Sequence, residues 1–470
     1  MRIFVNGSIL TEEDINNEIN LILSDKSLHI PKSQIRKWAI DNAIERELIL
    51  QDLLNKGIDN IDEYIENNFP DEDSFDNYCN QLVSKAEVRI YNEKISNIRK
   101  QLNFLLVKPA GPDCNLSCDY CFYLAKNGFF KNDIHRMSDD ILKELIIQSI
   151  TFGGDSINFG WQGGEPTLMG IDFFRKAIEY QKIFGKGKRI SNSLQTNGIL
   201  IDKQWCEFLK FNDFLVGLSI DGPEHIHNRY RKYTNGKETF GEVYKSALLM
   251  LENDVKVNAL AVVNNYSVQF PEEIYNFFKG IGLNYMQFIP AVEPNFRDKS
   301  IPAFFVPEPE RYGDFLISLF DLWLGDFVDN KPTTYIRFFE SLFFFYVNLV
   351  PPDCVFQKEC GTYLVVEHNG NVYSCDFFVD NEHYLGNIKN NNMLDLLNSD
   401  KQISFGLQKA RLPQKCLSCE WLNYCHGGCI KDRFNISSID NVSFLCEGYK
   451  KFFSYADKKF IELAEKWQKC

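Results

Sequence analysis

The sequence predicts an α/β protein: a partial (β/α)6 barrel, preceded by an all-α module and followed by a cysteine-rich C-terminal domain. Three observations carry this. From about residue 101, short apolar runs rich in Val, Ile and Phe alternate with amphipathic helical segments, the pattern of parallel β/α units. Before that point the chain reads as helices. After about residue 336 the β/α rhythm stops, and eight of the 14 cysteines gather between 354 and 446. The expected domains are therefore 1–100, 101–335 and 336–470.

In the first hundred residues, "ILTEED" offers Thr11 as an N-cap with Asp14 three residues on as its capping-box partner. Ile40, Ala43, Ile44 and Leu48 recur at helical spacing until Gly57 ends the run. The acidic break "FPDEDSFDN" leads into a last helix expected from about Ser74 to Lys100. No titratable cluster suited to catalysis occurs here, so this part reads as a packing or recognition module.

The barrel strands are "LNFLLVKP", "SINFGWQG", "RISNSLQTNG", "FLVGLSIDG", "VNALAVVN" and "NYMQFIP". In such folds function collects at the C-terminal ends of the strands. Four polar or glycine-rich loops fall at these ends: a three-cysteine loop after the first strand, then "QGGEP", "QTNG" and "SIDGP". Singly, each of the last three could be an ordinary turn. Together on one face they point to a site, with Gln195 and Asn197 at its mouth. Beyond the barrel, "TYLVVEHNGNVYSCDFF" reads as a hairpin around Asn369-Gly370, a strong turn signal.

Composition narrows the function classes. A chain of 470 residues, 44% hydrophobic and 14% aromatic, can bury large cores. Its net charge of −13 argues against a nucleic-acid or anionic-membrane partner. "MRIFVNGSIL" has no signal-peptide pattern, and "FFESLFFFYVNLV" is too short and too interrupted to span a bilayer, so a cytoplasmic protein is expected. Clustered cysteines in such a chain point to metal rather than disulfides. The loop cysteines Cys114, Cys118 and Cys121 stand at C-x3-C-x2-C, one short of a closed four-thiolate shell. A structural zinc ion wants that closed shell, whereas an iron–sulfur cluster on three cysteines keeps one iron open. His135 has no ligand-like spacing to them, and both metals stay open on spacing alone. The C-terminal run "KCLSCEWLNYCHGGC" adds C-x2-C-x5-C-x3-C, and eight cysteines there suit two sites of either metal. Cys79, Cys206 and Cys470 have no partners at ligand spacing, and the sequons at Asn435 and Asn441 carry little meaning in a cytosolic protein.

The cysteine loop after the first strand, with Tyr120 just before Cys121, resembles that of the radical S-adenosylmethionine (SAM) superfamily, and "QGGEPTL" resembles its second motif. The resemblance implies a [4Fe–4S] cluster on Cys114, Cys118 and Cys121 whose open iron binds SAM. It further implies SAM contacts from Gly163, Gly164 and Glu165, from Ser219 and Arg231, and from Val292, with Tyr120 packing or lying against the adenine. The C-terminal run resembles the SPASM domain of peptide-modifying enzymes in that superfamily. By that resemblance one auxiliary [4Fe–4S] cluster takes Cys354, Cys360, Cys375 and Cys429, and the second takes Cys416, Cys419, Cys425 and Cys446.

"KPAGPDCNLSCDYCFY", "QGGEPTL", "NSLQTNG", "FLVGLSIDGP" and "CDFF" together look like the anaerobic sulfatase-maturating enzymes. That family implies oxidation of a peptidyl Cys or Ser to Cα-formylglycine by a 5′-deoxyadenosyl radical, with Asp376 as base. Alternating strand residues would let Cys375 face a cluster while Asp376 faces the barrel. The implied partners are a peptide or protein carrying the target residue and an electron donor such as flavodoxin or ferredoxin. The first hundred residues depart from the family: "VNGSILTEED" and "AIERELILQDLLNKG" are similar to the peptide-holding region of parvulin-type chaperones. This leaves a second reading, a maturase of a ribosomally made peptide forming a thioether or another Cα/Cβ modification. A zinc scaffold without enzymatic activity is the third.

Overall fold

Met1–Lys100 fold with Asn398–Arg411 as one unit, and Gln101–Leu397 with Leu412–Cys470 as another. The computed structural model describes residues 2–5, 8–10, 12–24, 31–58, 61–69, 71–86, 88–91, 100–123, 126, 128–130, 134–185, 187–295, 297–298, 301–433 and 442–468. The expected N-cap Thr11, the sequons at Asn435 and Asn441, and Cys470 lie outside the described residues.

The first unit is not all-α. Strand β1 (Arg2–Val5) pairs antiparallel with β2 (Ser8–Leu10) and with β3 (Val88–Tyr91). Ile3 and Val5 alternate into the core at 0% exposure, the period-two pattern of a half-buried strand. The helix expected over Ser74–Lys100 is Glu72–Lys85 instead. Asp71 caps it, accepting from Ser74 N at 2.8 Å, and Ala86 turns extended, releasing the β-branched "VRIY" into the sheet. The apolar stripe Ala43, Ile44 and Leu48 is buried as expected on the helix Lys32–Asn55. A helix from the far end of the chain, Asp400–Gln408, joins this unit against β2, and Asn398 bonds both backbone groups of Lys100.

In the second unit, all six expected barrel strands form. They are β4 (Phe104–Lys108), β5 (Ser156–Trp161), β6 (Arg189–Thr196), β7 (Leu215–Ser219), β8 (Lys256–Val263) and β9 (Tyr285–Pro290), each parallel to the next. Leu105, Val107, Phe159, Leu194, Val216 and Ala259 point into one continuous core. A short hairpin follows, β10 (Phe327–Val328) and β11 (Lys331–Pro332), and then β12 (Tyr335–Ile336), which extends the sheet beyond β9. The other edge is extended from the C-terminal region. Strand β13 (Leu364–Glu367) pairs parallel with β4, and β14 (Asn371–Tyr373) and β15 (Tyr384–Asn387) continue antiparallel. The hairpin expected at Asn369-Gly370 therefore completes the barrel sheet rather than standing apart from it. Parallel pairing puts the C-terminal ends of β4 to β9 and of β13 on one rim, and this rim positions the site. Among the described residues, no helix is long and apolar enough to cross a membrane.

Candidate active site

The cysteine loop is held down by the loop that follows β5. Gly164 N donates to Gly111 O at 2.8 Å, and Glu165 N to Asp113 O at 2.7 Å. A Cβ on Gly164 would lie 2.0 Å from Asp113 O, so close approach of two backbones requires glycine there. Gly163 sits at φ +132° against the Lys108 backbone, another position that favours glycine. Glu165 is 1% exposed, and its carboxylate accepts from Thr167 N (3.0 Å), Thr167 Oγ1 (2.5 Å), Thr196 Oγ1 (2.8 Å) and Asn197 N (2.7 Å). Burial pushes its pKa up, and those four hydrogen bonds to the charged form oppose it. Three of these donors reach Oε1 and only Asn197 N reaches Oε2, so Oε2 keeps an acceptor position. The place of Glu165 in the site is to lock "QGGEP" to "QTNG". Asn197 continues the lock, donating to Asn115 Oδ1 at 2.7 Å and to Cys114 Sγ at 3.7 Å, while Gln195 stays exposed on the rim.

The far side of the cysteine loop rests on the segment after β7. Ser117 N donates to Lys232 O at 2.8 Å, and Asp119 N to Tyr230 O at 3.3 Å. Tyr120 packs in an apolar cluster with Tyr230, Ala291 and Phe305, and its hydroxyl donates to the fully buried Asp221. Asp221 also pairs with Arg231 Nε at 3.1 Å and accepts from Val262 N at 3.0 Å. Burial works against the Arg231 charge, and Asp221 outweighs it, so the pKa of Arg231 is raised. Ser219 is the last residue of β7 and is buried. Val292 follows β9, its side chain in the core and its carbonyl accepting from Lys431 at 2.7 Å. Burial pushes the Cys114 thiol up to about 12, with the Glu165 charge adding, and Cys118 up to about 11. Ligation to a metal needs the thiolate and would reverse both shifts.

The C-terminal cysteines separate into two groups. Cys416, Cys419, Cys425 and Cys446 line one open cleft, walled by Trp421 and Tyr449. In the other group, the charges of Cys354 and Cys375 act on one another, as do those of Cys375 and Cys429, and the Tyr363 hydroxyl lies 3.5 Å from Cys375 Sγ. Burial pushes the Cys375 thiol up to about 12. Arg433 is within electrostatic reach of Cys429 from this group, of Cys416 and Cys425 from the first, and of Cys360. It donates to the carbonyls of Gly427 (3.0 Å) and His426 (3.2 Å), in the turn that carries the chain from Cys425 to Cys429. Gly427 there has φ +73° and no room for a side chain beside Leu412. Among the described residues, no three Cys, His, Asp or Glu side chains converge on a point where a single metal ion would sit. The thiolates of a four-iron cluster bind separate irons and need no such convergence.

Asp376 does not lie on a returning strand, as the alternation argument expected. Strand β14 ends at Tyr373, and Cys375 and Asp376 fall in the bend beyond it. The bend still sends them to different places. Cys375 goes to Tyr363, while Asp376 Oδ1 meets the ammonium of Lys108, the last residue of β4.

Residues 109–278 match the model of the radical SAM superfamily, and 354–420 match that of an iron–sulfur cluster-binding domain, SPASM. The chain is 38% identical over 372 residues to the serine-type anaerobic sulfatase-maturating enzyme of Bacteroides thetaiotaomicron, covering 75% of this chain and 89% of that one. It is 37% identical over 364 residues to the cysteine-type enzyme of Clostridium perfringens, covering 77% and 98%. The solved structure of native anSMEcpe with AdoMet and the Cp18Cys peptide bound superposes with a TM-score of 0.72 at 36% identity, covering 77% of this chain and 98% of that one. The chain belongs to the anaerobic sulfatase-maturating enzymes of the radical SAM superfamily.

For a sulfatase-maturating enzyme, the residues present fit the groups that the family uses. The cleft over Cys416, Cys419, Cys425 and Cys446 is lined by four soft ligands and apolar walls, the setting of a fully ligated cluster. Cys114 Sγ already faces two donors, Leu116 N at 3.4 Å and Asn197 Nδ2, as a cluster thiolate would require. Cys79 and Cys206 are simply buried thiols. Sequence reasoning missed three groups. Asp221 stood within "SIDGP" and organises Tyr120 and Arg231. Lys108, a charge ending an apolar strand, was a visible anomaly in "FLLVKP". Arg433, the cation between the two cysteine groups, left no local signal.

Proposed function

We propose that this enzyme oxidises a cysteine or serine of a peptide or protein substrate to Cα-formylglycine. The observation that carries the reading is the 37–38% identity, over nearly the whole length of the Clostridium protein and most of the Bacteroides one, to sulfatase-maturating enzymes of both types. When bound, SAM and a [4Fe–4S] cluster on Cys114, Cys118 and Cys121 would supply the 5′-deoxyadenosyl radical, and two auxiliary [4Fe–4S] clusters would carry the electron away. The rest falls to the chain's own residues. Glu165 and Asn197 fix the cysteine loop; Asp221 orders Tyr120 and Arg231 beside it; Gly163, Gly164, Glu165, Ser219, Arg231 and Val292 line the rim where SAM would lie. Asp376 takes the proton from the substrate SH or OH, a task that suits a carboxylate held next to a buried cation. In this reading residues 101–335 make the radical, 336–470 hold the auxiliary clusters, and the first unit holds the peptide. A small electron-transfer protein such as flavodoxin or ferredoxin supplies electrons.

Anaerobic incubation with SAM, a reductant and a peptide bearing Cys or Ser, followed by mass spectrometry, tests this directly. An aldehyde that a hydrazine traps is the expected product. A thioether crosslink on a dedicated precursor would replace this reading with peptide maturation. About twelve irons per chain are expected from three four-iron clusters. Stoichiometric zinc with little iron would leave only a scaffold. Truncation before residue 101 should weaken peptide binding; unchanged affinity would make the first unit structural.

A further inference from the structure

Lys108 is an unusual residue for the end of a barrel strand. Its side chain is 1% exposed, and a buried ammonium needs both a counter-charge and a rigid surround. The counter-charge is Asp376, reached as an ion pair outside hydrogen-bond geometry. The surround is aromatic: Nζ stands 3.5 Å over the Tyr123 ring centroid and 5.7 Å from that of Phe122. Tyr123 is itself pinned, its hydroxyl donating to Glu367, which is fully buried and is the register partner of Lys108 across β4 and β13. From Glu367 the polar run continues to His368 Nδ1 at 3.5 Å and, ring against ring at 4.8 Å, to His135 on Asp113, beside the cysteine loop. Asp376, by contrast, sits in a bend with no strand ladder to aim it.

We propose that Lys108 is the positioning residue for Asp376. Strand β4 and the Tyr123–Glu367 pair fix the ammonium, and the ammonium fixes the carboxylate that takes the substrate proton. The inference rests on the reading of Asp376 as the base, and its test separates the two. Full-length, cluster-loaded Lys108→Met, Lys108→Arg and Asp376→Asn enzymes are given SAM, reductant and peptide, and 5′-deoxyadenosine and aldehyde are counted in the same reaction. Lys108→Met should make 5′-deoxyadenosine within about threefold of the parent. Its aldehyde yield per 5′-deoxyadenosine should fall about tenfold or more, at a peptide KM changed less than about threefold. Lys108→Arg, which keeps the charge but not the reach, should fall between the two. Parental coupling in Lys108→Met overturns the proposal, as does loss of 5′-deoxyadenosine along with aldehyde in iron-loaded Lys108→Met. If Lys108→Met does not load iron, parental coupling in Lys108→Arg overturns it instead. Parental coupling in Asp376→Asn removes the base reading itself, whereas uncoupled Asp376→Asn beside coupled Lys108→Met removes the role of Lys108 alone.

Discussion

Two shielded carboxylates are treated in opposite ways. Glu165, after β5, accepts four hydrogen bonds from three neighbouring residues and is 1% exposed. Asp376, after β14, has an ion pair with Lys108, no hydrogen-bond donor on its Oδ1, and 15% of its side chain exposed. A carboxylate that gathers donors from three residues ties the scaffold together, and only Oε2 of Glu165, with its single donor, keeps a position for a further partner. A carboxylate held from one side by a charge keeps lone pairs for a substrate. In the proposed function, the contrast separates the loop that supports radical formation from the bend to which removal of the substrate proton is assigned.

That contrast can be broken experimentally. Replacing Cys114, Cys118 and Cys121 together by Ala has the largest expected effect, since it removes SAM cleavage to background and aldehyde formation with it; 5′-deoxyadenosine by chromatography reads it. Asp376→Asn should lower aldehyde formation about 100-fold or more while leaving SAM cleavage nearly unchanged. Glu165→Ala should behave in the opposite way. Four donors lose their acceptor at about 1–3 kcal/mol for each one left unsatisfied, so a loss of about 3 kcal/mol or more by denaturant unfolding should accompany a matching fall in SAM cleavage. If the two variants give the same signature, the division into scaffold and reactive carboxylate is wrong.

The smallest effect concerns Asp113, which ties the cysteine loop to His135 and Arg136. Burial alone would raise its pKa, and hydrogen bonds from His135 and Arg136 outweigh that, so its folded pKa is depressed. A depressed carboxyl stabilises the fold above its unfolded pKa of about 3.9, and that contribution is lost as pH falls through the lower folded value. Asp113→Asn should therefore be less stable than the parent above about pH 4 and converge with it in more acidic solution. Parallel stability curves across that range would refute the assignment.

Much of this was written locally. The six barrel strands, the loops at their ends and the Asn369-Gly370 hairpin follow from side-chain period and turn chemistry, which act over a few residues. The first unit shows how a local reading fails: the expected helix ran on past Ala86, where "VRIY" instead joins a sheet whose partner, β1, lies more than eighty residues earlier. "MRIFVNGSIL" held its own hairpin signal, an Asn-Gly between two short strands. The cysteine spacing left zinc and iron–sulfur both open, and the resemblance of the surrounding motifs to a known family supplied the cluster ligands. What only the tertiary structure decided is which charges meet. Lys108 reaches Asp376 because β13 lies down beside β4, and Asp221 reaches Tyr120 and Arg231 because parallel strands end on one rim. Periodicity shows that a strand exists; strand pairing between distant parts of the chain, driven by burial of the shared core, determines which neighbour it gains.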